Sequence, residues 1–180
     1  MDRGLSVYIS ASAEMDAECE FIGQTLASVS TTSRATIRRT PEGSNPDLEG
    51  LASSQIYIIL LGTDLLAPIG VEWEAARQAG LATLGFRNAE AAPSPAMTDF
   101  LRRQRFEWHE YRTPAEFRRK LERTLLQRLL DETPGTGLDL TAVEQIAVRL
   151  KELEGEEAED EGPAEERRGA GSGGIILPRP

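Results

Sequence analysis

Along residues 5–130, apolar residues fall in two alternating patterns: short runs, and stripes at steps of three and four. Strands alternating with helices are the expected result. The run "LSVYIS" (5–10) is β-branched and aromatic and stops at small polar residues, as a buried strand entering a loop does. Met15, Cys19, Ile22, Leu26 and Val29 then trace one helical stripe, with Ser12 as its expected cap and Glu14, Asp16 and Glu18 at its positive end. "ATIRRT" predicts a peripheral strand, and "TPEGSNP" a loop before the short helix "DLEGLASS". "QIYIILLG" is unbroken in its apolar character, which calls for burial on both faces. In the helix that follows, Val71, Ala75, Ala76 and Ala79 form a face of small residues, and Gly80 ends it. "LATLGF" gives a fourth strand, "AAPSPAMTDFLRRQ" a loop and short helix, and "RFEWHEY" a fifth strand carrying Phe106, Trp108 and Tyr111. The helix from Pro114 opens with the capping box Thr113 and Glu116 and buries Phe117, Leu121, Leu125 and Leu129.

Five strands interleaved with helices imply an α/β fold with a flavodoxin-like parallel sheet, order 2-1-3-4-5. In that winding strands 1 and 3 diverge, so a ligand is expected at the loops after Ser10 and after Gly62. The domain is expected to span residues 1–132. Residues 133–154 read as a linker and an accessory helix, capped by Thr141 with Glu144, whose stripe is Val143, Ile146, Leu150 and Leu153. That stripe needs a cover, either the domain itself or a partner. Residues 155–180 are acidic and then glycine-rich, the composition of a disordered tail, ending in "IILPRP", a docking peptide or an apolar end without a role.

Composition narrows the partners. The net charge is -10 over 180 residues, and nine of the 30 acidic residues fall within 152–166. An acidic body repels phosphate backbones, which argues against nucleic acid as a partner, and Arg118, Arg119 and Lys120 read as a solvated helix face. No run approaches the roughly 20 apolar residues needed to span a bilayer, and "MDRGLSVYISAS" lacks the layout of a secretory signal. A cytoplasmic location is the expectation. One cysteine, Cys19, and one histidine, His109, leave no Cys/His metal set, so no metal or cofactor is expected; Cys19 belongs on a buried stripe and His109 on the solvent side of its strand.

Candidate chemistry concentrates in "VEWE" at the predicted crevice. Glu72 and Glu74 lie two apart on a helix, so only one faces the crevice. A carboxylate at a helix N-terminus also gains about 0.3–1 kcal/mol from the dipole with no ligand at all. Trp73 can stack on a base or simply cover the helix start. Ser10, Ser12 and Thr63, with the bare backbone at Gly62, can donate hydrogen bonds to ribose or phosphate.

"VYISASAEMDAECEFI", with Glu14 and Glu18 in its acidic places, resembles the opening of the TIR-like family known as domain of unknown function 4062. "IYIILLG", "VEWEAARQAG" and "LATLGF" resemble its third strand, acidic helix and fourth strand, and "YRTPAEFRRKLERTLLQRLL" its last helix. The likeness covers about residues 5–130, with Val71 where Ser or Thr is common and "GTDLLAPIG" replacing a Tyr-Gly loop. It implies relation to TIR and nucleoside deoxyribosyltransferase-like domains, in which a glutamate at the place of Glu72 supports N-glycosidic bond cleavage. The implied function is a signalling or defence module that binds a nucleotide, with hydrolysis of NAD, as substrate rather than cofactor, as its reaction. Two alternatives stand beside it. One is a non-catalytic adaptor that self-associates or recruits proteins through the 141–153 helix and the peptide 175–180. The other is a nucleoside deoxyribosyltransferase-like enzyme.

Overall fold

A computed structural model describes residues 5–29, 35–41, 43–131 and 140–160. Five strands, β1 (Ser6–Ser10), β2 (Thr36–Arg39), β3 (Ile56–Leu61), β4 (Ala82–Asn88) and β5 (His109–Tyr111), form one all-parallel sheet in the order 2-1-3-4-5. All six residues of β3 are buried, which explains its unbroken apolar run: it lies in mid-sheet with helices on both faces. β2 is an edge strand and mostly exposed, as its polar composition requires.

One sheet face carries α1 (Asp16–Val29) and α5 (Pro114–Asp131), with Val7, Ile9, Ile22, Leu26, Phe117 and Leu121 packed between helices and strands. Cys19 is half-buried against that core; the side chain of Val29 lies outside the described residues. A single 3₁₀ turn, Ala13–Met15, leads into α1. There the Ser12 carbonyl, not its hydroxyl, accepts from the Met15 N–H at 3.1 Å. The other face carries α2 (Leu48–Ala52), α3 (Ala67–Gln78) and α4 (Pro95–Arg103) over Tyr8, Tyr57, Ile59 and Leu61.

α3 departs from expectation in its phase. Its buried stripe is Ile69, Glu72, Trp73 and Ala76, spaced for one helical face, while Val71 is 48% exposed and Ala79 is exposed. The helix also begins earlier than the loop-like "GTDLLAPIG" suggests, because Pro68 is tolerated in a first turn. It closes as expected at Gly80, which has φ +66°, with Gly80 N–H bonded to Arg77 O and Leu81 N–H to Ala76 O, a Schellman closure.

β5 is shorter than "RFEWHEY". Only His109–Tyr111 pair with β4; Phe106 and Trp108 precede the strand and lay their rings over Gly85. A Cβ at Gly85 would stand 2.5 Å from Phe106 Cε1 and 2.7 Å from the Trp108 ring. Gly85→Ala should therefore lower stability by about 1–3 kcal/mol through overpacking, read as a lowered denaturant midpoint at unchanged slope. His109 points away from Trp108, half-buried against the Phe86 ring at 5.3 Å, and burial lowers its pKa.

The capping group of α5 forms with a shift: Thr113 Oγ1 accepts from Glu116 N–H, and Glu116 accepts from Arg112 N–H, one residue before the cap. A further helix, α6 (Leu140–Asp160), packs on α5. Ile146, Leu150 and Leu153 are buried with Leu125 and Leu129, and Arg149 donates to both carboxylate oxygens of Glu122 at 2.7 and 3.1 Å. The domain itself covers that stripe. Thr141 lies within the helix, not at its cap, and the helix runs through Asp160, past the expected boundary at 154. The peptide 175–180 lies outside the described residues, among which no helix is long and apolar enough to cross a membrane.

Candidate functional site

Strand periodicity builds the site. Ser6, Tyr8 and Ser10 alternate with apolar neighbours in β1, so Tyr8 and Ser10 present hydroxyls to the same sheet face, under α3. Glu72 comes down from the second turn of α3 and is 1% exposed. Its Oε1 accepts from the Tyr8 hydroxyl at 2.8 Å and from Thr40 Oγ1, just past the end of β2; its Oε2 accepts from Ser10 Oγ at 2.5 Å. Tyr8 and Thr40 also touch, oxygen to oxygen at 2.5 Å. Three hydroxyls from two strand ends thus satisfy a carboxylate that would otherwise be very costly to bury.

Glu72 is too deep in its helix for the dipole to explain its place, since that effect fades within the first turn. Burial pushes the Tyr8 phenol up to about 12, with the Glu72 charge adding to it, so Tyr8 stays a proton donor to Glu72 across the physiological range. The Tyr57 hydroxyl is buried in the same layer without a hydrogen bond of standard geometry; burial first, then the Glu72 charge, raises its pKa as well.

Glu72 borders a hollow of about 320 Å³ at the carboxyl ends of β1 and β2. Leu66, Pro68 and Ile69 give it an apolar wall. Ser12, Arg39 and Thr40 give it a polar one. Such a cavity lies at the small end of ligand pockets, which run from roughly 300 to 1,000 Å³. A carboxylate has about four lone-pair positions, and three are taken here.

The other expected site residues are placed differently. Ser10 is spent on Glu72. Ser12 borders the hollow, but its hydroxyl donates to Glu14 Oε1 at 3.2 Å. The same Glu14 oxygen takes the Thr63 N–H at 2.7 Å and fills the space over Gly62, where a Cβ would collide with it. Thr63 O accepts from Ser94 N–H, so both backbone groups of Thr63 are engaged, and neither Gly62 nor Thr63 borders the hollow. The crevice directly between β1 and β3 is therefore closed by Glu14, and the open space lies on the β2 side.

Trp73 is 2% exposed and faces the sheet amid Trp108, Phe100 and Phe106, so its ring is not available to a ligand base. Glu74 is exposed. Glu18 accepts from the Tyr111 hydroxyl at 2.9 Å, bridging α1 to β5 on the far face. Among the described residues, no cluster of three or more His, Cys, Asp or Glu is arranged to hold a metal ion.

Sequence reasoning missed Tyr8, Thr40 and Arg39. For Tyr8 a signal existed, the polar period-two pattern of "SVYIS"; for Thr40 and Arg39, at the end of an exposed edge strand, there was none. Comparison with protein-family models, curated proteins and solved structures gave no match to this chain.

Proposed function

We propose that the chain is a TIR-like module of signalling or defence that holds the ribose of a nucleotide against Glu72 and hydrolyses the N-glycosidic bond between nicotinamide and ribose in NAD. What supports this is the buried carboxylate fixed by three hydroxyls at the edge of an open hollow. As the C1′–N bond breaks, its electron pair leaves with nicotinamide, which departs neutral, and positive charge gathers on the sugar. A carboxylate held beside the ribose stabilises that charge more than it stabilises the bound ground state. Water adds its oxygen to C1′ and releases a proton to solvent. Because the pyridinium is already cationic, no general acid is required, and the distance of His109 from the site is no obstacle.

The test is to incubate purified protein with NAD over a range of protein concentrations and follow free nicotinamide, with Glu72→Gln as control. Turnover that disappears in the variant supports hydrolysis. No turnover at any concentration, including those that drive self-association, overturns it in favour of an adaptor. In that case recruitment falls to the exposed side of α6, where Leu140 and Val148 are 75% and 60% exposed, and to the residues beyond it.

A further inference from the structure

We propose that Arg39 anchors a phosphate, so that the hollow takes a mononucleotide unit, with its sugar on Glu72 and its 5′-phosphate on the guanidinium, in preference to an uncharged nucleoside. This deepens the reading of the hollow as a sugar site and rests on it. The donors expected to meet phosphate are otherwise engaged: Ser10 on Glu72, and Ser12 and the Thr63 N–H on Glu14. The start of α3 offers little more. Pro68 has no N–H, and the N–H groups of Ile69 and Gly70 turn back to Leu66 O at 3.1 and 3.4 Å.

Arg39 is the one cation among the described residues bordering the hollow, and its side chain is 29% exposed. Its Nη2 donates to the carbonyls of Ala11 and Ser12 at 3.2 and 2.9 Å, and its Nη1 to Asp16 at 2.7 Å. Those three bonds fix the plane of the guanidinium. They leave Nε–H and the second Nη1 hydrogen without a protein partner, on separate edges of the guanidinium, so a phosphate meets a fixed cation that offers it single charge-assisted hydrogen bonds. Glu14, Asp16 and Glu72 are the acidic groups around it, while the second cation of β2, Arg38, has its guanidinium beside Asp47 at Gly50 and does not line the hollow, so Arg39 is the cation placed to meet a phosphate there. Asp16, with its side chain 70% exposed, is a weak competitor that a phosphate can displace. A volume of about 320 Å³ suits one sugar and its base, leaving the rest of a dinucleotide outside.

Calorimetric titration of the full chain with nicotinamide riboside and with nicotinamide mononucleotide isolates the phosphate, the single difference between the two. The mononucleotide should bind at least tenfold more tightly. Arg39→Gln should shrink that advantage to twofold or less, with a thermal melt to confirm folding. Asp16→Asn, which removes the competing carboxylate, should enlarge it severalfold, and it decides the matter alone should Arg39→Gln fail to fold. Equal binding of the two ligands, or an advantage that ignores both substitutions, overturns the phosphate anchor. If the riboside still binds and Glu72→Gln abolishes that binding, the sugar site survives this failure; if neither ligand binds, both proposals fall.

Discussion

Glu72→Gln should lower nicotinamide release by about 10²–10³-fold, the usual consequence of removing one preorganised electrostatic group, while the melting temperature moves by only a few degrees. The two effects separate because of how the carboxylate is held. In Glu72→Gln the amide oxygen still accepts from Tyr8 and Thr40, so the change falls on Ser10, which also lies by the Tyr57 hydroxyl; a buried hydroxyl left unmatched costs about 1–3 kcal/mol. Removing a carboxylate that must be desolvated offsets part of that cost. A residue kept for stability would behave in the opposite way, with a large loss in melting temperature. Tyr8→Phe adds a second arm. It removes one donor to Glu72 without touching the hollow, so kcat should drop about tenfold with KM nearly constant, as expected of a positioning residue. A fall in stability with unchanged kcat in these variants would make the hydroxyl cluster a structural device.

The sheet was legible because its signals are local. β3 reads as central from its own six residues, the stripes of α1 and α5 from steps of three and four, and the winding follows from strict strand–helix alternation. The phase of α3 was not legible because it depends on distant partners. Glu72 can be buried only since Tyr8, Ser10 and Thr40 lie 64, 62 and 32 residues away in sequence and converge on it. Periodicity alone sets a Glu on the wet side and small residues such as Val71 and Ala79 on the dry one. The true face swaps these, using the bulk of Ile69 and Trp73.

The site shows the same division. Glu72 was reachable from its place after β3, and the hollow does lie at strand carboxyl ends as the winding rule requires. Its displacement toward β2 was not, because that follows from one side-chain choice: Glu14 folds back onto Thr63 and closes the gap where β1 and β3 part. Arg39 was hidden for a related reason. In an exposed "TIRR" edge strand, one Arg looks like any other solvated charge until the β1–α1 loop wraps its carbonyls around it.

Trp73→Ala should be the most destabilising single change, at about 3–5 kcal/mol, equivalent to a melting temperature roughly 10–20 °C lower for a chain of this size. The indole stacks on Trp108 at 5.5 Å, meets Phe106 and Phe100 edge-on at 5.1 and 5.7 Å, and lies under the Arg77 guanidinium at 5.8 Å. Deleting it empties the centre of a packed layer that cannot collapse without drawing Phe106 and Trp108 off Gly85. Trp73→Phe should cost much less: it keeps ring contacts, and it removes an indole N–H that is buried without a partner. The decisive comparison is between stability and binding. Because the ring faces the sheet, folded Trp73→Phe should bind nicotinamide mononucleotide within about twofold of the parent chain, whereas a ring that stacked on the ligand base would lose about 1–3 kcal/mol of binding on truncation. A binding loss of that size at near-parental stability would mean that the aromatic layer opens to the ligand.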